Sequence, residues 1–82
     1  MENSIDLFKD FRKNLELLRI EKGLSTEELA HNLALSRKRI IDLEYGKNGR
    51  GVPKSEELLN IAAYFQVKVD DLVHKKATVV LS

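Results

Sequence analysis

A basic segment in the middle of the chain holds the residues best suited to contact an anionic partner. Residues 36–54 carry six cations against two acids, a local net charge of +4, whereas the whole 82-residue chain has a net charge of only +1. Three of these cations, Arg37, Lys38 and Arg39, are consecutive and directly follow Ser36. Such clustering favours phosphate binding, although solvated surface charges explain the count alone equally well.

Other chemistries find little support in the sequence. The absence of cysteine removes disulfides and thiolate metal ligands and favours an intracellular location, and the two histidines are far apart, so no metal site is predicted. Ser36 has no base partner in sight and is expected to cap a helix. Gly46 and Gly51 have the spacing of a phosphate-binding loop, but Val52 stands where the lysine is needed. We therefore predict no enzyme, no cofactor and no small-molecule ligand.

Helical periodicity extends over nearly the whole chain and predicts the elements that position the basic segment. Apolar residues at helical spacing predict a first helix from about residue 5 to residue 22, with Ser4 as its N-cap and Gly23 as its stop. Ser25 and Glu28 form a capping box that opens a short second helix. A third helix follows Ser36 and ends near Gly46.

The third helix is predicted to have two different sides. At 100° per residue, its inner side carries Ser36, Ile40, Leu43 and Glu44. Its outer side carries Lys38, Ile41, Asp42 and Tyr45, with Arg37 and Arg39 on the flanks. The inner side is expected to pack and the outer side to remain available to a partner.

The second half of the chain contains a loop, two helices and a tail. Glycine and proline predict a loop over residues 47–54. Ser55 opens a fourth helix, and a short fifth helix covers residues 69–73. The buried side of the fourth helix is expected to comprise Leu58, Leu59, Ile61, Ala62 and Phe65. No apolar run is long enough to span a membrane, so a cytoplasmic location is expected.

The C-terminal tail, residues 75–82, has an unusual composition for a chain end, because its last six residues, 77–82, are mostly apolar and rich in β-branched residues. Two alternatives stay open for it. The tail either forms a short β-strand that pairs with the same segment of a second subunit, or it is disordered. The first alternative predicts a homodimer.

Residues 26–45, TEELAHNLALSRKRIIDLEY, resemble the helix-turn-helix of the phage-repressor and Cro-like (XRE-type) family. The match rests on apolar positions that this family shares, together with KGLS before the motif and LEYG at its end. Those apolar positions are Leu29, Ala30, Leu33, Leu35, Ile40 and Leu43. The resemblance covers about residues 11–73. It implies an all-α, five-helix, lambda-repressor-like DNA-binding domain over residues 11–74, with residues 1–10 as an extension of the first helix.

The resemblance also implies a function, namely sequence-specific binding of double-stranded DNA by a transcriptional regulator, a repressor or an autoregulator. In this family the third helix enters the major groove by its N-terminal end. Arg37, Lys38 and Asp42 match positions that read base edges, and Ile41 is placed to touch a thymine methyl group. The residues expected to contact phosphates are Thr26, Ser36, Arg39, Lys47 and Arg50. Arg19 and Glu44 match a pair that forms a buried salt bridge in relatives.

Two departures from the family pattern concern the backbone. Ala34 stands in the turn between the two helices, and Gln66 follows the fourth helix, where the family often has glycine. If the turn position requires a positive φ, alanine there costs about 1 kcal/mol. The loop after Gly46 is also about three residues longer than the usual pattern.

A second function stays open beside DNA binding. Lys38 and Asp42 are four residues apart and are also able to pair on a solvated helix face. Independently of that pairing, the modest net charge of +1 allows a protein-interaction module that keeps the helix-turn-helix fold and binds a protein partner through the third helix, with Ile41 and Tyr45 making the contact.

Overall fold

The computed structural model describes residues 8–46 and 50–74, and this part of the chain contains five α-helices. The prediction of an all-α, five-helix domain is confirmed there. The predicted cap at Ser4, the loop residue Lys47 and the alternatives for residues 75–82 lie outside the described residues. The helices are α1 (Lys9–Glu21), α2 (Thr26–Leu33), α3 (Arg37–Tyr45), α4 (Ser55–Phe65) and α5 (Val69–Val73).

The caps predicted for α2 and α3 are confirmed. At the start of α2, the backbone N–H of Glu28 donates to Ser25 Oγ over 3.0 Å, and the N–H of Ser25 donates to Glu28 Oε1 over 2.8 Å. At the start of α3, the N–H of Arg39 donates to Ser36 Oγ over 3.0 Å. These contacts satisfy amide groups that have no partner inside the helix, and therefore fix where both helices begin.

One hydrophobic core joins the five helices. α3 packs against α1 and α2, while α5 packs against α1 and α4. The core therefore lies between the helix-turn-helix pair and the two C-terminal helices, and each apolar stripe is buried by its neighbours. Its buried apolar residues are Phe11, Leu15, Leu29, Ala30, Ile40, Leu43, Ile61, Ala62 and Leu72.

The structure corrects two predictions about these helices. α1 begins at Lys9 and not near residue 5, because Phe8 at its N-cap position has φ −114° and ψ 20°, outside the helical region. Leu59 is 62% exposed and does not belong to the buried side of α4. At 100° per residue, its side chain points about 125° away from the mean direction of Leu58, Ile61 and Phe65.

Both predicted departures from glycine fall on left-handed backbone. Ala34, at the C-terminal end of α2, has φ 59° and ψ 38°, and Gln66, at the end of α4, has φ 58° and ψ 44°. This conformation lets the chain reverse directly after a helix, and the N–H of Leu35 then donates to the carbonyl of Ala30 over 2.9 Å. The side chain at each position therefore carries a local strain of about 1 kcal/mol.

Asn14 is a buried polar residue whose role the sequence analysis did not predict. It lies on the inner side of α1 at 2% exposure. Its Nδ2 donates to the carbonyl of Leu72 over 2.9 Å and to that of His74 over 2.6 Å. Asn14 thus satisfies carbonyl groups at the end of α5 and fastens that short helix to α1. The signal in the sequence was a polar residue inside the apolar stripe of the first helix.

Candidate nucleic-acid interface

The N-terminal turn of α3 presents cationic side chains at the surface. Arg37 and Lys38 are exposed, and they occupy the first two positions of the helix. Ile41 and Asp42, one turn further on, are half-buried. The amide groups at this end of the helix add a partial positive charge to the two side chains. This surface is therefore able to bind a polyanion.

The inner side of α3 is fixed by Arg19 and Glu44, the pair expected from the resemblance. Arg19 Nε donates to Glu44 Oε2 over 2.8 Å, and Arg19 Nη2 donates to Glu44 Oε1 over 3.1 Å. The side chain of Glu44 is 0% exposed and that of Arg19 is 11% exposed. Its hydrogen bonds to the Glu44 carboxylate raise the pKa of Arg19 above its ordinary value.

Arg19 also reaches the segment that leads into α2. Its Nη1 donates to the carbonyl of Leu24 over 2.8 Å, one residue before the N-cap Ser25. One guanidinium group therefore holds α1, α3 and the start of α2 together. This contact sets the position of α3 relative to α2, which is the relation that a helix-turn-helix requires.

Arg39 was predicted to contact phosphate, but the structure directs its guanidinium to another group. Arg39 Nε donates to Glu57 Oε2 over 2.8 Å, and Nη2 donates to Glu57 Oε1 over 2.6 Å and to the carbonyl of Val52 over 2.9 Å. Residues 39 and 57 lie on different helices and share no local sequence pattern. The sequence analysis therefore missed Glu57, whose only signal was its place as an acid in the first turn of α4.

Tyr45 lies at the C-terminal end of α3 and is 49% exposed. Its hydroxyl donates to Glu16 Oε2 over 2.5 Å, and this hydrogen bond raises the pKa of Tyr45 above its ordinary value. The contact connects the outer edge of α3 to α1. Tyr45 thus has a structural contact that the sequence did not indicate, while much of its ring remains exposed.

The remaining candidate phosphate contacts lie around the ends of α2 and α3. Thr26 is the first residue of α2 and is half-buried, whereas Ser36 is exposed and engaged as the cap of α3. Arg50, on the returning limb of the loop, is exposed.

Residues 8–46 and 50–74 contain no group of histidine and acidic side chains able to hold a metal ion. No helix in these two ranges is long and apolar enough to cross a membrane.

The fold and this arrangement of helices define a class of protein. The sequence profile of the helix-turn-helix family matches residues 15–72, which covers all of α2, α3 and α4. The chain belongs to this family, as the resemblance predicted, and that membership supports a non-enzymatic role.

A curated relative is similar to this chain over nearly all of the chain's length. It is the HTH-type transcriptional activator BcrR of Enterococcus faecalis, which is 36% identical over 73 residues. The aligned region is 89% of this chain and 34% of the relative. The chain thus spans about a third of the length of that protein.

Proposed function

We propose that this chain binds double-stranded DNA in a sequence-specific manner and regulates transcription. The supporting observation is the contrast between the two sides of α3. The buried pair of Arg19 and Glu44 fixes its inner side, while Arg37 and Lys38 are exposed at the end that can enter a major groove. Membership of the helix-turn-helix family and the similarity to a transcriptional activator support the same function.

In this proposal each outward-facing residue of α3 contacts a different group on the bases. Arg37 and Lys38 donate to guanine O6 and N7, Ile41 contacts a thymine methyl group, and Asp42 accepts from a cytosine amine. Ile41 and Asp42 are half-buried, so they would contact only bases that lie close to α3. The long, exposed side chains of Arg37 and Lys38 would reach further into the groove. The specificity is therefore expected to be strongest at the base pairs facing residues 37 and 38.

Phosphate contacts in this proposal come from residues on either side of α3. Thr26 and Ser36 lie at helix N-termini, where backbone amides also favour an anion. Lys47 and Arg50 belong to the basic loop and would follow the DNA backbone. Arg39 is left out of this set because its guanidinium is already engaged by Glu57.

We further propose that the chain acts as a homodimer on two half-sites about one helical turn, ~34 Å, apart. The sequence of the tail, residues 77–81, supports this proposal, since a β-branched apolar segment favours extended backbone and is able to pair with the same segment of a second copy. Repression or autoregulation is the direction of control that the sequence analysis favoured. The relative is named an activator, so a reporter assay with the operator upstream of or across a promoter is the test of direction.

Selection of bound fragments from a random pool of double-stranded DNA tests the proposed function. The expected result is a defined, nearly palindromic consensus, with binding that weakens steeply as salt rises. An unselected pool after repeated rounds would contradict the proposal.

A protein-interaction module is the second candidate function, and the exposure of Tyr45 beside Ile41 favours it. Binding to a protein through α3 would depend much less on salt than binding to DNA. A partner captured through α3 with little salt dependence, in the absence of a DNA consensus, would support this second function.

A further inference from the structure

The ion pair between Arg39 and Glu57 lies where three segments of the chain meet. Arg39 belongs to the first turn of α3, Glu57 to the first turn of α4, and Val52 to the limb of the loop that returns between them. The side chains are largely withdrawn from solvent, with 25% exposure for Arg39 and 9% for Glu57. A bidentate guanidinium–carboxylate contact has a fixed planar geometry, so it restrains orientation as well as distance.

Glu57 performs a second task at the same time. Its Oε1 accepts from the backbone N–H of Lys54 over 2.8 Å, which closes the first turn of α4. The hydrogen bond from Arg39 lowers the pKa of Glu57, as does the backbone N–H of Lys54. The start of α4, the loop carbonyl of Val52 and α3 are therefore connected through one carboxylate and one guanidinium.

The same loop limb lies against α3 at a second place, beside the carbonyl of Asp42. That carbonyl accepts from the N–H of Gly46, the C-cap of α3, over 2.8 Å. Gly51 has φ +75° and lies so close to that carbonyl that a Cβ atom there would clash with it. The limb thus contacts α3 near Asp42 and again near Arg39, and the exposed Arg50 immediately precedes Gly51.

We propose that Arg39 and Glu57 are positioning residues for DNA recognition, which hold the Arg50–Lys54 limb and α3 in one fixed orientation on α4. This inference rests on the proposed function. It assigns Arg39 no contact with DNA, because Glu57 neutralises its charge and the Nε and Nη2 groups already donate to Glu57 and to the carbonyl of Val52. The residues that contact DNA on α3 and on the loop then approach the groove as one rigid surface, and specificity depends on a pair that touches no base.

The test compares Arg39→Gln, Glu57→Gln and the double variant with the wild-type full-length chain. Glutamine at position 57 keeps an oxygen for the N–H of Lys54 but loses the charge and the bidentate geometry. Each single variant is expected to lower the ratio of specific to non-specific DNA affinity by about tenfold, and the double variant should fall no further, since both changes break the same contact. All affinities are measured at a temperature where circular dichroism shows every variant fully folded.

The salt dependence separates positioning from phosphate contact, with Arg50→Gln as the matched control for loss of one cation. Arg50→Gln should reduce the salt slope by about one, whereas Arg39→Gln should leave it unchanged. A slope reduced by about one in Arg39→Gln, or tighter DNA binding by Glu57→Gln, would show that Arg39 contacts phosphate and would overturn the inference. So would variants with a lower melting temperature but an unchanged specificity ratio, because the pair would then serve stability alone.

A measurement without DNA keeps this inference distinct from the proposed function. Amide hydrogen exchange in either single variant should accelerate at residues 50–54 and in the first turn of α3, and remain unchanged in α2. If the wild-type chain selects no DNA sequence, the proposed function fails, whatever the exchange shows. If it does select a sequence and the exchange at residues 50–54 is unaltered, the positioning inference alone fails.

Discussion

Two ionic pairs, Arg19 with Glu44 and Arg39 with Glu57, hold α3 against α1 and α4. Arg19 and Glu44 were expected because the chain resembles a family in which such a pair occurs. Arg39 and Glu57 were not, because two charged residues 18 positions apart on different helices carry no local signal. A cation is exposed or paired according to whether a neighbouring helix places an acidic side chain beside it. The sequence does not give that placement directly.

Replacement of Arg19 by alanine should destabilise the fold far more than an ordinary surface substitution. The change leaves the fully buried carboxylate of Glu44 without its partner and the carbonyl of Leu24 without its donor. The expected loss in free energy of unfolding is about 3–5 kcal/mol. Chemical denaturation of Arg19→Ala measures it, and an apolar pair at positions 19 and 44 should recover much of the loss. An unchanged melting temperature would contradict this prediction.

The contribution of Glu57 to stability should depend on pH. Its pKa is lowered in the folded chain, mainly by the hydrogen bond from Arg39, so its stabilising effect is complete above the pKa of the unfolded chain. The effect is lost as pH falls toward the lower folded value. The stability difference between the wild type and Glu57→Gln should therefore shrink as pH falls below about 4.3, the ordinary pKa of a glutamate. A difference that stays constant over this range, measured by urea denaturation, would contradict it.

At the scale of elements, the sequence carried strong signals for each helix but weak signals for the interactions between helices. Capping residues and apolar stripes predicted the order and type of the helices, because both signals lie within a few residues. The predicted start of α1 near residue 5 and the predicted burial of Leu59 were wrong. An apolar residue at the edge of a stripe faces the core only if a neighbouring helix covers it, and that depends on packing.

Glycine at position 34 should stabilise the turn between α2 and α3. Ala34 has φ 59°, a conformation that glycine adopts without steric cost, so Ala34→Gly is expected to raise the free energy of unfolding by about 1 kcal/mol. Ala63→Gly is the matched control, because the same change at an exposed helical position of α4 should lower it by about 1 kcal/mol. Equal losses in both variants would show that the turn is not strained.

At the scale of the whole molecule, the proposed dimer determines how two copies of α3 face DNA. The tail proposed to join them lies outside the described residues. Truncation after Lys76 should weaken dimerisation, and should weaken binding to a two-half-site operator more than binding to one half-site. Sedimentation of the full-length and truncated chains across a concentration series measures the first effect. Equal dimerisation constants would leave the tail without a role in assembly.

The central claim, that the exposed end of α3 reads DNA sequence, is tested most directly by equilibrium binding of matched variants. Arg37→Ala and Lys38→Ala should each lose about 1–3 kcal/mol of binding free energy on the selected operator and relax the base preference at one position. Lys68→Ala, which removes an exposed cation just before α5, serves as the control and should retain wild-type specificity. If Arg37→Ala and Lys38→Ala both bind the operator with wild-type affinity, α3 is not the element that reads the sequence.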